Sequence, residues 1–417
     1  MKHLRLAFVV LASALGLARA QEEEKRGAPP TEIPDFSNLD EYVYEPKSTV
    51  TLGFRRISGA KTSFSGQGKI GSSNNPGAVT GANLDRAYHD GTVRPDARTA
   101  ARLDNSGNPI IDAESGGSVF DPIAPDGKTN TWSYQDARQV AENGFLAFHT
   151  YSADVIDTAV RQTDAAGSLG MDLAVLRDMG KLLGPRVTWQ LSAGMSVNDI
   201  SATMADSVRA RLTTLSDFYS LFGQTPPAAP YGSPSTTVGN LLDAGGNPVI
   251  GEDGAIRTVT TDASVLLGNE PAGRTTSETT DSTSVSNRWK VKGAYFTFHA
   301  GPTVWLSISS RLRASVSIGA ALVYSGTSYA VTQTFQPETG AEISDTSTSA
   351  AYKLLPGYYA DATVQFDLTE RTGFYAGAVF QSAGSYTQNL DSASAQYSTK
   401  IDLSKQNGLR AGLSIRF

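Results

Sequence analysis

Along the second half of the chain, apolar and polar residues trade places at almost every step. Between Trp289 and Ser307, Phe296, Phe298, Ala300, Pro302, Val304 and Leu306 oppose Tyr295, Thr297, His299, Gly301, Thr303 and Trp305. After a brief break at Ser309–Arg311, Leu312, Ala314, Val316, Ile318, Ala320 and Leu322 oppose Arg313, Ser315, Ser317, Gly319 and Ala321. The pattern returns at 352–368, at 374–381 and in the closing stretch Gly408–Phe417. A period of two puts one set on each face of a strand. In the first half, Thr49–Ile57, Gly170–Met179 and Arg186–Asp199 behave alike, the last alternating unbroken from Val187 to Val197. By contrast, Ser207–Phe222 reads as partly helical, stopped by Gly223 and Pro226-Pro227.

The connections between these strands alternate in length. Short ones fall at Gly180–Pro185, Ser309–Arg311 and Thr369–Arg371, and long ones at about 58–169, 200–288, 331–350 and 389–396. Alternation of this kind, with strands of roughly 9–11 residues carrying one apolar face, is the signature of an antiparallel transmembrane β-barrel. The expected fold is therefore all-β, an antiparallel barrel over 48–417 with eight strands and long loops on one side. Ten or twelve strands are the alternative counts, because Lys61–Ile70 and Gly144–Val155 are also strand candidates. Counting them as spanning strands would force a connection of about 70 residues onto the short-turn side, against the rule for such barrels. A secreted β-sandwich would also alternate, but does not account for the turn lengths.

Composition narrows the class further. Charged residues make up only 18% of the chain, there are 40 glycines, and there is no cysteine. Charge is low against the roughly 25% of soluble domains, and neither disulfides nor a thiolate metal site are available. At the N-terminus, Lys2 and Arg5 precede the apolar run Leu6–Ala18 and the small-residue site Ala18-Arg19-Ala20. Met1–Ala20 is thus expected to be a secretory signal peptide cleaved after Ala20. Its removal takes three basic residues and moves the formal net charge from −6 to −9, which argues against a nucleic-acid partner. Residues 21–47, with Glu22-Glu23-Glu24, Pro29, Pro30 and Pro34, read as an acidic leader on the short-turn side.

The closing stretch carries a resemblance. Leu409, Ala411, Leu413, Ile415 and Phe417 alternate with Arg410, Gly412, Ser414 and Arg416 up to an aromatic last residue. Together with the strand region, this resembles a Gram-negative outer-membrane β-barrel of the small OmpA type. That resemblance implies an outer-membrane location, short turns in the periplasm and long loops outside. It further implies outer-membrane lipid as a partner, and Phe417 as an assembly signal read by the barrel-assembly machinery.

Candidate chemistry is sparse. On the polar faces, Arg55, Asp172, Arg313, Asp361, Asp367, Arg410 and Arg416 are expected to point into the lumen. An eight-stranded lumen has room for side chains rather than a wide channel, and buried charges must pair. A charge-plugged interior is therefore expected, with a small passive channel as the alternative. Apart from His3 in the signal peptide, the histidines are His89, His149 and His299. His149 has Ser152 and Asp154 nearby in sequence, but no nucleophile elbow, phosphate loop or metal-binding His pair is present. The similar pieces Leu103–Ile111 and Leu242–Ile250 fail calcium-loop spacing and read as surface turns. The expected role is structural or surface interaction through the long loops, without catalysis, metal or cofactor. An outer-membrane hydrolase is the remote alternative, and the extracellular ligand is not specified by the sequence.

Overall fold

The computed structural model describes residues 47–417 apart from 72–73, 83, 108–109, 111, 113–118, 143, 166, 235, 241–246, 251–253 and 257. The expected signal peptide and all but the last residue of the expected leader lie outside the described residues. Thirteen strands carry the architecture: β1 (Ser48–Ser58), β2 (Lys61–Ile70), β3 (Phe145–Val155), β4 (Arg161–Asp164), β5 (Ser168–Leu183), β6 (Val187–Ser220), β7 (Gly273–Ser307), β8 (Leu312–Phe335), β9 (Ile343–Asp367), β10 (Thr372–Ser382), β11 (Ser385–Asp391), β12 (Ala395–Asp402) and β13 (Gln406–Arg416).

Eight of them close a ring by antiparallel hydrogen bonding. β1 pairs with β5, β5 with β6, β6 with β7, β7 with β8, β8 with β9, β9 with β10, β10 with β13, and β13 returns to β1. Closure leaves the ring no edge. Its three tight connections, residues 184–186, 308–311 and 368–371, all lie at one end. At that same end Ser48 and Phe417 exchange backbone hydrogen bonds of 3.0 and 3.1 Å.

Lys61–Ile70 and Gly144–Val155 are not additional members of the ring. β2 continues β1 upward, β3 and β4 run down into β5, and β11 and β12 extend β10 and β13. In this upper tier β2 pairs with β12 and β4, β12 with β11, and β3 with β6. Gln388 on β11 bridges to β9 by donating to the Ser349 carbonyl at 3.0 Å. The eight staves thus keep their order while four of them break and bend. At the β1–β2 break, Gly59 has φ +97°, and a Cβ there would lie 2.2 Å from the Lys405 carbonyl oxygen. Only glycine fits such a bend.

The long connections expected from sequence are correspondingly shorter. β6 runs on to Ser220, so residues 207–220 are extended rather than helical, their backbone paired with β7 as far as Phe218 and with β3 from Ala210 to Ser220. Two flanking ladders override a weak helical spacing. Likewise the 331–350 and 389–396 connections shrink to 336–342 and 392–394.

Polarity inverts halfway up the staves. On lower β6, Leu191, Ala193, Met195 and Val197 face out while Ser192, Ser196 and Asn198 are buried inside. Above that height, Asp199, Ser201 and Thr203 face out, whereas Ile200 and Ala202 fill the interior. β7 does the same: Phe296, Phe298, Val304 and Leu306 lie outside below, and Arg288, Lys290 and Lys292 above. The lower tier is an apolar belt around a polar interior. The upper tier is a water-facing barrel around an apolar core that includes Phe64, Trp289, Val291, Tyr329 and Tyr397, with Phe64 stacked between Trp289 and Tyr329 at 6.0 Å each. Each such side chain contributes roughly 1.5–3 kcal/mol by leaving water.

A cap packs against the outward face of β3 and the end of β6. Short strands at Arg86–Ala87, Gly91–Val93, Trp132–Tyr134 and Tyr231–Gly232 form one small sheet over a second core of Tyr88, Trp132, Tyr134, Phe148, Tyr219 and Leu267. Asp104 turns the first of the two similar loop pieces, accepting from the backbone N–H of Gly107 at 3.0 Å and of Ser106 at 2.8 Å.

Candidate functional site

All seven charged residues singled out from the sequence lie inside the lower ring, and they form two groups. In the middle, Arg410 donates to Asp361 at 2.6 Å, to Thr363 at 2.8 Å and to Asp172 at 3.4 Å. Arg55, at the same level on β1, is held by neutral acceptors, Ser196 at 2.6 Å and Gln381 at 2.8 Å. Lower down, Asp367 receives Arg313 at 2.9 Å, Arg416 at 3.3 Å and Gln365 at 2.7 Å. Aromatic rings complete the packing, with Arg313 over Trp305 at 4.7 Å and Arg410 over Tyr375 at 5.5 Å. His299 lies against Tyr359 at 4.4 Å between ring centroids. It fits because Gly194 has no Cβ, which would approach the imidazole to 2.7 Å.

Little space remains. Two cavities among the described residues of this interior measure about 20 and about 10 Å³, room for about one water each. Above them sits the apolar core of the upper tier. The lower ring is therefore closed on itself, polar and filled within, and girdled outside by residues such as Phe54, Val316, Ile318, Leu354 and Leu409, each more than half exposed. A soluble domain buries such a belt, and hydrocarbon is the medium that covers it. The chain is a β-barrel of transmembrane type. Phe417 stands on the outer face of that barrel, 51% exposed, at its tight-turn end.

No protein-family model matches the barrel chain, and no curated protein matches it. Solved structures do align over most of its length. The outer-membrane protease OmpT from Escherichia coli is 10% identical, covering 89% of this chain and 97% of that one, with a TM-score of 0.26. Ail, the attachment invasion locus protein of Yersinia pestis, is 7% identical over 87% and 99%, TM-score 0.20. A Pseudomonas aeruginosa FadL homologue is 9% identical over 89% and 90%, TM-score 0.18. The barrel assignment rests on the ring, the belt and the filled interior, not on these likenesses.

A second group of polar side chains lies in the head formed by the upper tier and cap. His149 sits on β3 facing inward beside Tyr151, while Ser152 and Asp154 fall on the opposite face, where Asp154 pairs with Lys69 at 3.5 Å. The local His-Ser-Asp cluster therefore never assembles. The partner of His149 is Asp90, far away in sequence and fully buried, whose Oδ2 lies 2.6 Å from His149 Nδ1. Asp90 also accepts from the His149 backbone N–H at 2.8 Å and from Thr339 Oγ1 at 2.7 Å. Since Thr339 spends its proton on Asp90, the Tyr151 hydroxyl donates to Thr339 at 2.6 Å. His89 Nδ1 accepts the Tyr151 backbone N–H at 2.9 Å, and burial holds its imidazole below the usual range. These contacts tie cap, β3 and the 336–342 connection together. Sequence reading missed Asp90 because nothing local links it to His149.

Nearby, Asp217 is buried, gripped by Arg274 at 2.6 and 2.7 Å, and accepts the Tyr88 hydroxyl at 2.6 Å. Tyr219, bonded to Tyr88, is pushed up to about 12 by burial. On the other face of β6 from this cluster, beside His149, opens a cavity of about 600 Å³ lined by Thr214, Ser216, Ser277 and Glu338 among others. Among the described residues no group of three or more carboxylate or imidazole side chains could hold a metal ion.

Proposed function

We propose that this chain is an outer-membrane β-barrel of structural or surface-interaction type, crossing the membrane with eight strands and presenting its head outside the cell. It is exported by the Met1–Ala20 signal and assembled through its closing strand and Phe417. Its head acts by contact, not by catalysis. One observation carries the reading: the interior is blocked twice, by the Arg410–Asp361–Asp172 and Asp367 ion-pair groups and then by the apolar core above them. A solute would have to break buried ion pairs and then cross a packed aromatic core, which is incompatible with a passive channel. The head, by contrast, has a buried core of its own, and contact surfaces are grafted onto such scaffolds. Planar-bilayer recording of the refolded protein tests it. A sealed barrel gives no steps above baseline, and steady, reproducible single-channel steps would overturn the reading in favour of a small channel.

A further inference from the structure

On the outward face of β7, directly above the belt, three cations stand in a row. Phe296 is the last large apolar residue of the belt on this strand; Ala294 follows, then Lys292, Lys290 and Arg288. Alternate residues lie about 6.6 Å apart along a strand, and like charges at that spacing repel one another. Among the described residues no carboxylate lies within ion-pair distance of any of the three. The carboxylates closest in register are Asp199, level with Ala294, and Asp206, level with Asn287. Asp206 is taken by Arg161 at 2.6 Å. The flanking strands add only small and hydroxylated side chains: Ser201, Thr203 and Ala205 on β6, and Ser328, Ala330 and Thr332 on β8, are the register partners of the cations. Just below, Tyr352 on β9 stacks on Tyr324 of β8 with ring planes 11° apart, both exposed on the outer face. The Tyr352 ring lies across β8 at Gly326, where a Cβ would come within 3.2 Å of it, and Gly326 is the register partner of Ala294. Amphipathic aromatic rings of this kind mark the headgroup level of a membrane protein.

We propose that this strip, Arg288, Lys290 and Lys292 above Tyr352, docks a polyphosphorylated lipid headgroup of the outer leaflet. Counter-anions for uncompensated cations must come from outside the chain. Lys292 lies only two outward positions above Phe296, and at that height the anion in reach is a lipid phosphate rather than an acidic polypeptide. From Lys292 to Arg288 the strip rises about 13 Å along the strand, or about 10 Å of height at the usual barrel tilt. The headgroup layer of a glycerophospholipid bilayer is about 5–7 Å deep on each side. Phosphates at more than one height therefore match the strip better than the single phosphate of a glycerophospholipid, and the hydroxyls beside the cations supply further donors. The proposal deepens the surface-interaction reading and rests on the barrel crossing the membrane with its head outside.

The refolded full chain in a zwitterionic detergent is mixed with the bisphosphorylated diglucosamine lipid A, its dephosphorylated form, phosphatidylglycerol or inorganic pyrophosphate. Native mass spectrometry reads the ligand retained as its proportion in the mixture is raised. Lipid A should be retained most tightly. Arg288→Gln/Lys290→Gln/Lys292→Gln should weaken its binding by about fivefold per cation, about a hundredfold in all. Arg177→Gln/Lys181→Gln/Arg186→Gln, an equal change of charge on exposed residues at the tight-turn end, should bind like the wild type. Heat-modifiable gel migration equal to that of the wild type establishes that each variant barrel is folded. If the strip variant fails that control, Arg288→Gln alone, farthest above the belt, replaces it, with a loss of about fivefold expected. Equal retention of lipid A by the wild type and the folded strip variant, or an equal loss in the tight-turn variant, would overturn the proposal. So would equal binding of the dephosphorylated lipid, of phosphatidylglycerol or of pyrophosphate. The placement of the head is read separately, by a membrane-impermeant maleimide on whole cells carrying Asn389→Cys, an exposed position on β11. Labelling without a lipid effect removes the site and leaves the orientation standing, whereas no labelling overturns the orientation and with it the outer-leaflet assignment.

Discussion

Replacing Arg410 by Met tests whether the lumen is held by its ion pairs. The side chain reaches Asp361 at 2.6 Å, Thr363 at 2.8 Å and Asp172 at 3.4 Å, and both carboxylates are almost wholly buried, at 3% and 2% side-chain exposure. Methionine keeps most of the volume but removes every donor, leaving two carboxylates close together with no cation between them. Breaking a buried pair in this way costs about 3–5 kcal/mol, chiefly the penalty of stranded charge. Adding Asp361→Asn in the same chain removes one of the stranded charges. It should recover part of the loss, a coupling of about 0.5–3 kcal/mol. The assay is reversible urea unfolding in phospholipid vesicles, followed by the fluorescence of the four tryptophans. Arg56→Met, on the outer face of β1, serves as the control and should stay within about 0.5 kcal/mol of wild type. If Arg410→Met loses less than about 1 kcal/mol, or if the two substitutions simply add, the network is not what stabilises the lumen.

Three further outcomes follow from the upper tier and the cap. Trp289→Ala, deleting a side chain 2% exposed at the centre of the apolar core, should cost about 3–5 kcal/mol. Amide exchange should rise in β2, β11 and β12 while the belt strands stay protected. Trp289→Phe should lose far less, because the indole N–H it removes has no acceptor in the core. Gly59→Val puts a Cβ against the Lys405 carbonyl at φ +97° and should destabilise by about 1–3 kcal/mol, read as a lower urea midpoint. The pH prediction concerns His89, whose folded pKa lies below its unfolded value because the ring is buried. Its contribution is therefore present above the unfolded value near pH 6.5 and declines as the pH falls below it. The protection factor of the Tyr151 amide, whose N–H it accepts, that is, its exchange rate relative to the intrinsic rate at each pH, should fall between about pH 7 and pH 5, and less so in His89→Gln.

The belt was legible in the sequence because one rule, apolar out and polar in, generates it. Phe296 to Leu306 on β7 and Leu312 to Leu322 on β8 are read correctly by alternation alone. The upper tier was not legible because the rule reverses there. On β6 alternation continues past Asn198 through Ile200 and Ala202, but the apolar set changes face, so a reader following the outward set sees the strand end. The same reversal hid the ends of β8 and β9 inside an expected polar gap. The lumen residues were recoverable from face parity, since a residue's side of the sheet follows from counting by two. Their partners were not, because pairing across a closed ring depends on register and stagger. Asp90 and His149 illustrate the harder case, as only the folding of the cap over β3 brings them together.

The claim beneath all of this is that the staves cross from hydrocarbon to water at one height, where the outward face of β6 changes from Val197 to Asp199. Because the native chain has no cysteine, single cysteines can be placed on that face at Leu191, Ala193, Met195, Val197, Asp199, Ser201 and Thr203. They can then be spin-labelled in lipid vesicles and tested for collision with oxygen and with a water-soluble nickel chelate. The first four labels should meet oxygen and be shielded from nickel, and the last three should reverse that order, with the crossover between Val197 and Asp199. Equal exposure of all seven labels to the aqueous reagent would contradict the barrel's placement in a membrane.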